Sequence, residues 1–137
     1  MRVFLDANVL FSAAKSDGAV RELLLLVEQS GHHCCVDAYV IEEARRNLAA
    51  KAPDRISVLE TLLLRMTSAG AQRMDPVLEA SLPLPVKDRP VLTAAIHLGC
   101  GALVTGDRTH FGPLYGRTIH GVLIHSPRSL AEALRVP

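Results

Sequence analysis

Short blocks of consecutive apolar residues alternate along the chain with longer stretches in which apolar positions recur every three or four residues. The first pattern suits strands buried on both faces and the second suits amphipathic helices, so their alternation predicts an α/β fold built from βαβ units. "RVFLD" reads as a first strand, "AVRELLLLVEQSG" as a helix ending at Gly31, and "HHCCVDA" as a second strand. "AYVIEEARRNLAAK" carries Val40, Ile41, Ala44 and Leu48 on one helical stripe, with Asp37 placed to cap it. A further helix is predicted over "DRISVLETLLLRMTSAG", a short third strand over "AQRMDP", and extended loop over the proline-rich "SLPLPVKDRP". Asp88 and Pro90 open the helix "DRPVLTAAIHLG", which stops at Gly99. "GALVTGD" and "GVLIHSP" read as fourth and fifth strands, and "SPRSLAEALRV" as a closing helix with Ser126 as cap and Pro127 in its first position.

Composition narrows this picture. A chain of 137 residues, 49% apolar, fills one compact domain and leaves no room for a second, so residues 1–137 are expected to be a single domain. No apolar run is long enough for a membrane span and no cleavage-site pattern follows Arg2, which predicts a cytoplasmic protein with no membrane partner. Cys34, Cys35 and Cys100 lack zinc-ligand spacing and read as reduced core thiols. A net charge of +1 excludes a broad basic coat. A local patch is still compatible with it, and Arg45, Arg46, Lys51 and Arg55 form one candidate, equally readable as a solvated helix face.

The chemistry lies in the acidic residues. Asp6 ends an apolar strand, where an uncompensated carboxylate is costly, and Asp107 ends another. If those strands are neighbours, roughly 4.8 Å apart, the two carboxylates meet beyond the carboxyl ends of the sheet and call for a cation between them. On the third predicted helix, Glu43 borders the apolar stripe whereas Glu42 points nearly opposite, which makes Glu43 the inward candidate. Asp88 can lean toward the same edge or simply cap its helix. Oxygen ligands of this type suit Mg²⁺ or Mn²⁺.

The segments "VFLDANVLFSA", "YVIEEARRNL", "KDRPVLTAAI" and "ALVTGDRTHFGPL", in this order and at these separations, resemble the acidic motifs of PIN-domain ribonucleases. The resemblance implies a three-layer sandwich, with helices flanking a central, mainly parallel sheet. It gathers Asp6, Glu43, Asp88 and Asp107 into a metal-binding, RNA-cleaving pocket that uses Mg²⁺ or Mn²⁺. Many bacterial proteins of this size and type look like VapC toxins, which implies a homodimer held inactive by a cognate antitoxin protein. The metal would be the partner that lets Asp6 sit at the strand end, with Asn8 supporting the loop. Arg45, Arg46, Arg108, Thr105 and Thr109 are candidate RNA contacts.

One position departs from the family. Where another acidic residue often follows the fourth-strand Asp, "DRTHF" offers Thr109 and His110. His110 can bind metal, hold a phosphate or cap the turn, and the other five histidines show no ligand spacing. Two rival readings remain. A PIN-like module could bind RNA or protein without cutting, and a phospho-acceptor receiver domain has similar length but needs an acidic pair and a lysine absent here.

Overall fold

The computed structural model describes residues 1–135. Six strands form one sheet in the order β3-β2-β1-β4-β6-β5: β1 (Arg2–Leu5), β2 (His33–Asp37), β3 (Thr67–Ala69), β4 (Ala102–Val104), β5 (Thr118–Ile119) and β6 (Val122–His125). All pairings are parallel except that of β5 with β6. Among these residues seven α-helices complete the three-layer α/β architecture: α1 (Ala7–Lys15), α2 (Ala19–Gln29), α3 (Ala38–Lys51), α4 (Ile56–Leu63), α5 (Pro76–Ser81), α6 (Arg89–His97) and α7 (Pro127–Arg135).

The central strands are buried throughout because both of their faces are covered. Val3, Phe4 and Leu5 of β1 and Leu103 and Val104 of β4 are inaccessible to solvent, as are Leu10 of α1, Leu48 of α3, Leu92 of α6 and Ile124 of β6. Each such side chain contributes roughly 1.5–3 kcal/mol of burial. β1 pairs with β2 on one side and β4 on the other, so the chain reverses its direction of travel across the sheet between β1 and β4. Ligand crevices of open α/β sheets form at such a point, beyond the carboxyl ends of the strands.

Several local rules act as the residue pattern requires. Asp37 Oδ1 accepts the Val40 N–H at 3.1 Å and starts α3. Ser126 Oγ accepts the Ser129 N–H while Ser129 Oγ accepts the Ser126 N–H, both at 3.0 Å, a reciprocal cap for α7. Gly99, at φ 67°, ends α6 in the left-handed conformation that glycine adopts without steric cost. The cysteines are free and buried.

The structure also corrects the sequence reading. Ala7–Lys15, to which the hydrophobic pattern assigns no element, is a helix whose Val9, Leu10, Ala13 and Ala14 face the core. The long helix predicted through Gly70 stops at Leu63, because Thr67–Ala69 hydrogen-bond as β3 along the edge of β2. Residues 71–75, predicted to be that strand, have no regular structure. The proline-rich segment is not wholly extended. α5 ends at Ser81, with Pro76 in its first position and the Asp75 carboxylate accepting from Leu78 N–H, and a 3₁₀ turn spans Val86–Asp88. β5 was not anticipated. It closes a hairpin through His120 and Gly121, both at positive φ as a tight type I′ turn demands.

Candidate functional site

Asp6 follows β1 directly and serves as N-cap of α1, so strand end and helix start are one residue. Its side chain is buried and hydrogen-bonded at both oxygens, with acceptor capacity left on Oδ1. Oδ1 accepts the Ala7 N–H at 2.7 Å, while Oδ2 accepts the Thr105 hydroxyl at 2.7 Å and the Asn8 amide at 3.3 Å. Burial still dominates and pushes the carboxyl up to about 6, with the charges of Glu43 and Asp107 adding to the rise and the Thr105 and Ala7 donors opposing it.

Thr105, directly after β4, joins the two strand ends. Its Oγ1 donates to Asp6 and receives the Asp107 N–H at 3.2 Å and an Asn8 amide hydrogen at 3.3 Å. Asn8 Oδ1 accepts the Gly106 N–H at 2.8 Å, which ties the β1–α1 turn to the loop after β4. Asp107 Oδ1 accepts the backbone N–H groups of Thr109 and His110, both at 3.0 Å, leaving Oδ2 toward His110. The loop is therefore a set of short polar contacts that aim two carboxylates at one place.

Asp88 occupies the N-cap position of α6 but makes no side-chain cap hydrogen bond among the described residues, so the capping role open to it in the sequence is not the one it takes. His110 Nδ1 lies 2.8 Å from Asp88 Oδ2 and 3.3 Å from Asp107 Oδ2. The 2.8 Å approach lacks hydrogen-bond geometry, and Asp88 Oδ2 is a buried oxygen without a donor among the described residues. A carboxylate oxygen in that condition costs free energy unless a cation faces it, either a protonated His110 or a bound ion.

Asp6, Glu43, Asp88 and Asp107 line one pocket of about 240 Å³, together with Asn8, Tyr39, Asn47 and Lys87. Glu43 reaches it from α3, whereas Glu42 is exposed and pairs with Arg46 at 3.5 Å. Tyr39, whose phenol pKa is raised by partial burial and by the charges of Glu43, Asp88 and Asp6, shares that helix face with Glu43 and Asn47 at intervals of four. A larger, mostly apolar groove of about 340 Å³ lies between α2 and α4, at the amino ends of β2 and β3, and contains none of these groups. Its size does not make it the site of chemistry, since converging polar groups are what a reactive centre needs.

Several candidate contacts are not brought together. Arg45 is held by Glu60 of α4 in a two-pronged pair at 2.7 and 3.0 Å, and neither Arg45 nor Arg46 lines the pocket. Thr105 is inaccessible to solvent, so it supports Asp6 and does not contact a substrate. Arg108 and Thr109 are exposed on the loop after β4, outside the pocket lining. Sequence reasoning missed Tyr39, Asn47 and Lys87. The spacing of four from Glu43 could have found the first two, while nothing in the sequence singled out Lys87 beyond its place before Asp88.

An α/β sheet with carboxylates gathered at its switch point defines a class of acidic-pocket proteins, and residues 2–109 match the family profile described as PIN domain. The chain belongs to the PIN-domain family. Its fold is similar to that of a chain in the crystal structure of VapBC2 from Rickettsia felis bound to a DNA fragment from their promoter, with a TM-score of 0.68 and 15% identity over 92% of this chain and 98% of that one. No curated protein matches it in sequence. Among the described residues no helix is long and apolar enough to cross a membrane.

Proposed function

We propose that the protein is a metal-dependent endoribonuclease that hydrolyses RNA phosphodiester bonds, acting as the toxin of a toxin–antitoxin pair. The observation that carries the reading is the convergence of Asp6, Glu43, Asp88 and Asp107 on one small pocket in which a buried Asp88 oxygen has no donor. Membership of the PIN-domain family supports the nuclease class, and the likeness to a VapBC2 chain supports a toxin with a protein antitoxin.

The donor set fits Mg²⁺ or Mn²⁺, because both take carboxylate oxygens and tolerate remaining water ligands. Asp6, Asp88 and Asp107 would hold the ion, with Glu43 completing the set or orienting the attacking water. When bound, such an ion activates water and offsets charge developing on the phosphate. The protein's own groups do the positioning. Thr105 and Asn8 lock the Asp6 carboxylate, and the Thr109 and His110 N–H groups lock Asp107. Lys87 at the pocket lining supplies the positive charge that meets a phosphate, a role the paired Arg45 and Arg46 do not fill.

The test is cleavage of a labelled RNA with Mg²⁺ or Mn²⁺, with a chelator, and with Asp6→Asn or Asp107→Asn. Cleavage should require metal and vanish in both variants. Saturating metal should also stabilise the folded protein, by about 2.7 kcal/mol at a hundredfold excess over the dissociation constant. RNA left intact under all conditions, with no metal-dependent shift in melting, would replace this reading with that of a binding module. Growth arrest on expression, relieved by the product of the adjacent gene, tests the toxin role.

A further inference from the structure

We infer that His110 is itself a metal ligand through Nδ1, so that this centre is a mixed nitrogen and oxygen site that prefers Mn²⁺ and later transition ions to Mg²⁺. The inference rests on the metal-dependent reading above and deepens it. Asp88, Asp107 and His110 each offer one ligand atom, and these atoms lie within 4.8 Å of one another. The two closest separations from Nδ1, 2.8 and 3.3 Å, bracket the about 3.0 Å expected between adjacent ligands that each sit at about 2.1 Å from an octahedral ion.

A protonated His110 would meet both carboxylates as an ion pair, but that pairing leaves its N–H unaligned with Asp88 Oδ2. A ring nitrogen 2.8 Å from a carboxylate oxygen is ordinary when a hydrogen lies between them. Here that geometry is missing, and the oxygen is buried without a donor. With Nδ1 unprotonated, two lone-pair atoms held this close repel unless a cation sits where both can reach it. The backbone enforces the arrangement, because the His110 N–H is fixed on Asp107 Oδ1 and the ring leaves the same turn. Asp107 Oδ2 remains on the side of the ring. An imidazole ligand gives little to Mg²⁺, which holds to oxygen, but strengthens binding along the series from Mn²⁺ to Ni²⁺.

The experiment uses the full chain and the metals alone. Electron spin echo spectroscopy of the Mn²⁺-loaded protein should show a directly coordinated ¹⁴N nucleus, absent in His110→Ala. Calorimetry should show Mn²⁺ affinity falling at least about tenfold in His110→Ala, with Mg²⁺ affinity changed much less. Mn²⁺ bound without nitrogen coupling in the wild type, while RNA is still cut, overturns the ligand assignment and leaves the nuclease reading standing. Failure of the wild type to bind either metal overturns both. The wild-type spectrum decides the matter even if the variant folds poorly.

Discussion

The Thr105 hydroxyl donates to Asp6 Oδ2 over 2.7 Å, binding the residue after β4 to the residue after β1 across 99 positions of sequence. Because the Thr105 side chain has no solvent access, water cannot replace it there. Thr105→Val should therefore leave a buried carboxylate short of a donor and cost about 1–3 kcal/mol in denaturant unfolding. Thr105→Ser should recover most of that stability and the RNA cleavage with it. A Val variant as stable as wild type would show that Thr105 does not support Asp6.

Asp6 also makes stability depend on pH in a definite direction. Its folded carboxyl titrates near 6 against an ordinary 3.8, so between these values the folded protein holds a proton that the unfolded chain has released. Metal-free stability should rise as pH falls from 7 toward 4, by about 2 kcal/mol from this group alone. His125, pushed down by burial, acts the opposite way over part of the range, so the measurement is the difference between wild type and Asp6→Asn. A pH-independent difference would refute the assignment.

Adjacent glutamates on α3 should behave differently. Glu43 lines the carboxylate pocket and Glu42 pairs with Arg46 in solvent. Glu43→Gln should reduce RNA cleavage by two or more orders of magnitude, roughly the contribution of a positioned general base. Glu42→Gln should leave the rate unchanged, and equal losses in the two variants would contradict the placement.

Two basic side chains, Lys87 and Arg45, differ in their partners. Lys87→Ala should weaken RNA binding and reduce the logarithmic salt slope by about 0.7, the share of one neutralised phosphate on a single strand. Arg45→Ala should leave RNA affinity unchanged, because its guanidinium is already committed to Glu60. Filter binding at several salt concentrations distinguishes the two.

Thr93 offers a test of packing, since it does not line the pocket. It is buried within α6, and its hydroxyl has no partner among the described residues. Thr93→Val keeps the shape and removes the unsatisfied group, so the melting temperature should rise, by an amount equivalent to roughly 1 kcal/mol. A lower melting temperature would mean that the hydroxyl has a partner in solution.

The sequence by itself determined the elements whose causes are local. Asp37 and Ser126 cap their helices through contacts three residues away, Gly99 ends α6 through its own φ, and the uninterrupted apolar strands β1 and β4 had to be buried on both faces. The same locality made Glu43 rather than Glu42 the inward residue, since helical angle alone separates them. Tertiary structure decided the rest. Thr67–Ala69 became a strand because the edge of β2 offered it hydrogen bonds, a gain that no window of sequence contains. Arg45 was withdrawn from the candidate contacts by Glu60 on another helix, and Lys87 was admitted by the fold of a loop. At the site, four carboxylates were visible as residue types, but their compensation was not. Asp6 is sustained first by Thr105, Ala7 and Asn8, while Asp88 reaches the pocket with an oxygen left bare, because donors for a buried charge come from whichever segments packing brings within about 3 Å.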